Sequence, residues 1–208
     1  MKIGIIGAGR IGGVLTRRLT ELGHDVTVAN SRGPETLKKL ASETGARAGT
    51  VSEAAEDKEI VIVTVPEKSV PELPKGLFAH SRAVIVDTGN YYPQRDGKIA
   101  EIESGTTQSR WVSEQLGTPV VKAFNTMVAK HLLENGRPAG DRERLALPVA
   151  GDDPNAKALV SRLIDELGFD AVDAGRIDDS WRQQPGTPVY AADLPADKAR
   201  RALSEARR

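Results

Sequence analysis

The chain has 208 residues, enough for one sizeable core and short for two independent domains, which usually take ~100 to 200 residues each. Lys and Arg number 29, as do Asp and Glu, so the formal net charge is +0 and nothing in the balance favours a polyanionic partner such as nucleic acid. Cysteine is absent, which excludes disulfides, thiol nucleophiles, cysteine-ligated zinc and iron–sulfur clusters; no metal site is expected, and redox chemistry falls to a bound organic cofactor.

The first apolar run, residues 3–6, has the length of one buried strand. Directly behind it Gly7-Ala8-Gly9-Arg10-Ile11-Gly12 spells G-x-G-x-x-G, and a helical pattern follows over 14–22. In that setting the first glycine permits the strand-to-helix turn, the second lets the backbone approach a pyrophosphate, and the third lets helix and strand pack closely. The pyrophosphate then meets the N–H groups at the helix N-terminus, where the helix dipole favours negative charge; Arg10 and Ile11 stand in that turn.

Strand and helix patterns then alternate. A strand at 26–29 precedes a helix at 35–44, and a strand at 60–65 precedes a short helix from about Glu67. Further strands read at 83–86, 120–123, 146–150 and 169–172, with helices near 108–116, 128–134 and 155–167, the last stopped by Gly168. This rhythm predicts an α/β fold: a Rossmann-type doubly wound, mostly parallel sheet with helices on both faces and a short C-terminal appendage. The expected division is a dinucleotide-binding domain over 1–177, acceptor-site loops included, and a tail over 178–208 that packs on it or on a dimer partner. The stretches 87–107 and 173–195 read as loops over the strand ends, and 196–208 as a terminal helix or frayed end without a catalytic role. A first strand at Lys2 leaves no room for a signal peptide, and no apolar stretch nears the ~20 residues of a membrane span, so a soluble cytoplasmic protein is expected.

NAD-preferring sites of this kind place an Asp or Glu about 20 residues beyond the glycines, at the end of the second strand. Here that end reads Asn30-Ser31-Arg32-Gly33-Pro34, with no carboxylate. A hydroxyl and a guanidinium suit a phosphate dianion, so the cofactor is expected to be NADP(H), held through its 2′-phosphate. Thr64, Val65 and Pro66, at the carboxyl end of the third strand, are placed to flank it; Pro66 reads equally as the start of the following helix.

With the glycine loop, Asn30-Ser31-Arg32, Val65-Pro66, Val121-Lys122-Ala123-Phe124-Asn125-Thr126 and Pro148-Val149-Ala150-Gly151-Asp152-Asp153 in order, the chain to about Ile177 resembles the NADP oxidoreductases dependent on coenzyme F420. The resemblance implies a Rossmann domain that binds NADPH and passes hydride between the nicotinamide and a deazaflavin. It also implies that Ser31 and Arg32 hold the 2′-phosphate, and that the Ala123–Thr126 loop, with Ala123 and Asn125 as cofactor contacts, lies at the nicotinamide end. Asn125 stands where enzymes with the deazaflavin activity can carry a histidine, and residues 179–188 depart from their tail.

Hydride transfer between flat rings asks mainly for orientation in a water-poor cleft. No acid–base constellation is evident, and His24, His80 and His131 read as structural. The candidate catalytic residues are Lys122, Asn125 and Tyr91. The acceptor pocket is expected from residues 87–92 and 124–126, with Trp181, Arg182 and Gln183 closing it from the tail. The leading expectation is an NADPH-dependent oxidoreductase with coenzyme F420 or a flavin as its small-molecule acceptor, as a homodimer in one arrangement. The others are a non-catalytic NADP(H)-binding or sensor protein, and a small carbonyl or imine reductase that uses Lys122 or Tyr91.

Overall fold

The computed structural model describes residues 1–208. Strand β1 (Lys2–Ile6) leads through the glycine loop into α1 (Arg10–Glu21), then β2 (Asp25–Ala29), α2 (Lys38–Thr44), β3 (Arg47–Ala48), α3 (Val51–Ala55) and β4 (Ile60–Val63). A 3-10 turn (Glu67–Glu72) precedes β5 (Val84–Asp87), the short helices α4 (Pro93–Asp96) and α5 (Ala100–Glu103), α6 (Gln108–Leu116) and β6 (Val120–Lys122). The chain ends with α7 (Ala129–Glu134), β7 (Ala146–Val149), α8 (Pro154–Glu166), β8 (Asp170–Asp173), a 3-10 turn (Ile177–Gln183) and α9 (Ala196–Glu205).

Six strands pair in the order β3-β2-β1-β4-β5-β6, parallel throughout. This is the Rossmann order, and the sequence reverses direction across the sheet between β1 and β4, which leaves a crevice at their carboxyl ends. Strands β7 and β8 pair parallel to each other. They join the sheet antiparallel, through a two-bond bridge between Lys122 and Ala150 (2.8 and 3.0 Å). The mostly parallel sheet expected from the sequence is thus present, with its last two strands reversed.

Side-chain alternation divides the core. Ile3, Ile5, Val26, Val28, Ile60 and Ile62 pack with α1 and α8 through Leu15, Leu19, Val160, Leu163 and Ile164. Ile6, Val61, Val63 and Ile85 face the other way, onto Val70, Phe78, Trp111 and Val112. A third cluster holds α9 on β7 and β8 through Ala199, Ala202, Leu203, Ala146 and Val172. The tail therefore lies on its own chain: Ala146 N–H donates to the Leu194 carbonyl and Ala191 N–H to that of Thr126, both at 2.8 Å.

Some elements differ from the expected ones. Helix α1 starts at Arg10, not near Val14, because Gly12 and Gly13 are helical despite their low propensity. Strand β4 ends at Val63, so Thr64–Pro66 are loop. Strand β3 has only two residues, too few for a periodic pattern. Helix α3 did leave a signature: Thr50 accepts from Glu53 N–H and the Glu53 carboxylate accepts from Thr50 N–H, a capping box written as Thr50-Val51-Ser52-Glu53.

Candidate functional site

The glycine loop is built by steric demand. Gly7 has φ +107°, and a Cβ at Gly12 would lie 1.8 Å from the Gly7 carbonyl oxygen. Thr64 Oγ1 donates to the Gly7 carbonyl at 2.6 Å, tying the loop after β1 to the end of β4. Gly9 caps α1 without a side chain and the first turn holds no acidic residue, so the positive helix end stays available to an anion.

A cleft of about 510 Å³ opens here, at the carboxyl ends of the strands. Its lining includes Gly7, Gly9, Asn30, Ser31, Arg32, Thr64, Val65 and Pro66, so residues 57 positions apart in the chain meet in one crevice. Arg10, Ile11 and Gly12, in the first turn of α1, are not part of the lining. A groove of similar size, about 560 Å³, runs past Asp57, Lys58, Ser81 and Arg82 at the amino ends of β4 and β5. Ligands of open α/β sheets occupy the carboxyl side, which selects the first.

At the end of β2, Asn30 organises the turn. Its Oδ1 accepts from Arg32 N–H and its Nδ2 donates to Thr36 Oγ1, both at 2.9 Å. Ser31 and Arg32 are exposed, and the Arg32 guanidinium takes no part in the turn's own bonds. The rim therefore offers a hydroxyl and an uncommitted cation where an NAD site would offer a carboxylate.

The ends of β5 and β6 corrected three expectations. Lys122 is fully buried; its Nζ donates to Asp87 Oδ2 at 2.9 Å and to the Gly89 carbonyl. Asp87 also accepts from Ser109 Oγ (2.7 Å) and Gly89 N–H (2.8 Å). Lys122 is thus an internal ion-pair partner, in register with Asp87 on the neighbouring strand, and no free proton donor. Tyr91 is buried, its hydroxyl donating to Glu103 Oε1 at 2.7 Å and accepting from Ile99 N–H, so it anchors the α5 segment instead of facing the cleft. Ala123 is fully buried in the larger core cluster and has no surface for a cofactor.

Asn125 is buried and bonded on every side. Its Nδ2 donates to Asn90 Oδ1 (3.0 Å) and the Gln183 carbonyl (2.7 Å), and its Oδ1 accepts from Gln183 Nε2 (2.8 Å). Asn90 returns a bond to the Asn125 carbonyl at 2.9 Å, so an amide chain joins the loops after β5 and β6 to the tail. The tail element that reaches the strand ends is Gln183; Trp181 carries the guanidinium groups of Arg182 and Arg208, each 5.2 Å from its ring, and lines no part of the cleft. Tyr92 and Tyr190 meet hydroxyl to hydroxyl, with Arg95 over the Tyr92 ring at 5.1 Å. His24 pairs with Glu166 and His131 with Asp193, both away from the cleft.

One residue of this region escaped the sequence reading. Glu67, directly after Pro66, is fully buried beneath Gly89, and burial pushes its carboxyl up to about 7. An acid in the first turn of a helix ordinarily reads as an exposed dipole partner, which hid it. Gln183, expected with Trp181 and Arg182 to close the pocket from the tail, does reach the strand ends, but as the partner of Asn125 and not as part of the cleft lining.

Fold and cleft together define a Rossmann-type dinucleotide-binding protein. Residues 2–91 match the family described as NADP oxidoreductase, coenzyme F420-dependent. The solved structure of SMa0349, a hypothetical protein of Sinorhizobium meliloti, is 31% identical and superposes with a TM-score of 0.79, over 94% of this chain and 96% of that one. A candidate F420-dependent NADP reductase of Arthrobacter sp. FB24 is 25% identical, with a TM-score of 0.68 over 88% of this chain and 87% of that one. Among curated proteins, YjhV of Escherichia coli K12 is 46% identical over 74 residues, 36% of this chain and 54% of YjhV. The chain spans little more than half the length of the first curated relatives it matches. An imine reductase of Myxococcus stipitatus, 19% identical with a TM-score of 0.59 over 86% of this chain and 54% of that one, shares the fold alone. Over residues 2–91 the chain belongs to the family described as NADP oxidoreductase, coenzyme F420-dependent.

Proposed function

We propose that the chain is an NADPH-dependent oxidoreductase that passes hydride between NADP(H) and a ring-stacking acceptor, coenzyme F420 or a flavin. The observation that carries the cofactor half is the acid-free, arginine-bearing end of β2 lining the same cleft as the glycine loop. In this reading Gly7, Gly9, Arg10, Ile11 and Gly12 shape the turn under the pyrophosphate. Asn30 holds Ser31 and Arg32 toward the 2′-phosphate, and Thr64, Val65 and Pro66 line the way to the nicotinamide. When bound, NADPH supplies the hydride. The chain binds, orients and excludes water.

The acceptor half rests on what the strand ends lack. A carbonyl or imine reductase needs a proton donor at the reacting carbon's partner atom, and the two side chains best suited to it, Lys122 and Tyr91, are bonded internally. Transfer to a flat ring makes no such demand on them. Asn125, locked in the amide chain, acts by fixing the loops around the acceptor.

Anaerobic mixing of the chain with NADPH and coenzyme F420 tests this directly. The deazaflavin's visible absorbance should bleach, with free flavins tried in parallel. Absence of change with every deazaflavin and flavin would overturn the ring-stacking acceptor; if quinones, carbonyls and imines also fail alongside tight NADPH binding, the chain is a non-catalytic NADP(H)-binding protein.

A further inference from the structure

Glu67 opens the 3-10 turn immediately after Val65 and Pro66 of the cleft wall. Its Oε2 accepts from Arg95 Nη2 at 2.8 Å, while its Oε1 is buried with no hydrogen-bond partner. A Cβ added to Gly89, in the loop after β5, would meet that Oε1 at 2.5 Å. An ionised carboxylate with an unbonded oxygen in a dry site is costly, and burial holds the group up at about 7.

The charges that face it come from three neighbours: Asp87 at the end of β5, Lys122 at the end of β6, and Arg95 in α4. Asp87 and Lys122 neutralise one another, and Arg95 is matched by Asp96. Helix α6, packed against the same turn, buries Gln108, Ser109, Trp111 and Val112, none of them charged, and its Arg110 is bonded to Asp152 and Asp178. Ionised Glu67 would therefore be the unbalanced negative charge of the cluster, on the cleft side of the sheet where ligands of this fold lie.

We propose that Glu67 is a charge-compensating residue for the nicotinamide: it keeps a proton when the cleft holds the neutral reduced ring and releases it when the cationic oxidised ring lies against the ends of β4 and β5. This rests on the NADP(H) reading above. A positive charge brought near a buried carboxyl favours its ionised form. Linkage makes the effect reciprocal, so loss of the proton strengthens binding of NADP⁺ and leaves that of NADPH little changed.

Calorimetric titration of the full chain with NADP⁺ and with NADPH, each in two buffers of different ionisation enthalpy, counts the protons exchanged. Proton exchange at the 2′-phosphate, a release where a guanidinium favours the dianion, is common to both nucleotides and cancels in the difference. Near neutral pH, NADP⁺ should release up to about one proton more than NADPH, and its relative affinity should rise with pH by at most about tenfold per unit. Glu67→Gln should abolish both effects while still binding both nucleotides. If that variant does not fold, difference infrared spectroscopy of the wild-type complexes with labelled glutamate should show a protonated carboxyl with NADPH and its loss with NADP⁺. Equal proton counts, a difference that survives Glu67→Gln, or an unchanged carboxyl band overturns the proposal and leaves the cofactor reading standing. Binding of neither nucleotide overturns both.

Discussion

Arg32 stands exposed on the cleft rim with its backbone fixed by Asn30, so its side chain can turn to a ligand without disturbing the loop. A charge-assisted bond from such a group is worth about 1.5–3 kcal/mol. Arg32→Ala should therefore weaken NADPH about 10- to 100-fold and leave NADH nearly unchanged, read by nucleotide fluorescence titration. Glu67 makes a prediction about stability at the same scale. Its folded value of about 7 lies above the ordinary 4.5, so the folded chain holds this proton more tightly than the unfolded chain. The resulting stabilisation is full below about pH 4.5 and is lost as pH rises toward about 7, a swing of order 3 kcal/mol. Relative to wild type, Glu67→Gln should gain stability between about pH 5 and about pH 8 in urea unfolding.

Between elements, the Lys122–Asp87 pair joins the ends of β5 and β6 and captures both polar groups of Gly89. Removing one member of a buried pair costs about 3–5 kcal/mol, chiefly because the other charge is left uncompensated. Lys122→Met should destabilise by that amount in denaturant titrations, and adding Asp87→Asn should recover part of it. If Lys122 were a solvated proton donor, the change would alter turnover and leave stability intact. The pairing was half legible: opposite charges stand at the ends of neighbouring strands, but only register places them side by side. Helix α3 was missed although its cap is written in Thr50 and Glu53, because five residues are too few for a helical period, and β3 with two residues shows no period at all.

At the scale of the molecule, β7, β8 and α9 extend the sheet and bury their own apolar cluster, so the C-terminal helix is part of the fold's stability. Leu203, 6% exposed beneath that helix, should cost about 2–5 kcal/mol when cut to alanine, read as a lowered thermal midpoint. No helix is long and apolar enough to cross a membrane. The walls of the cleft proposed for the dinucleotide could be read from the chain because their parts are local: a strand, a glycine turn, a helix start, and a strand end without an acid, each formed by neighbours a few residues apart. The acceptor half could not. Whether Lys122 is free or paired, whether Tyr91 faces the cleft, and which tail residue reaches the strand ends depend on contacts between segments as far apart as Asn125 and Gln183. The buried carboxyl of Glu67 was hidden for the same reason: its titration is set by the dry space under Gly89, which exists only once β4, β5 and β6 lie side by side.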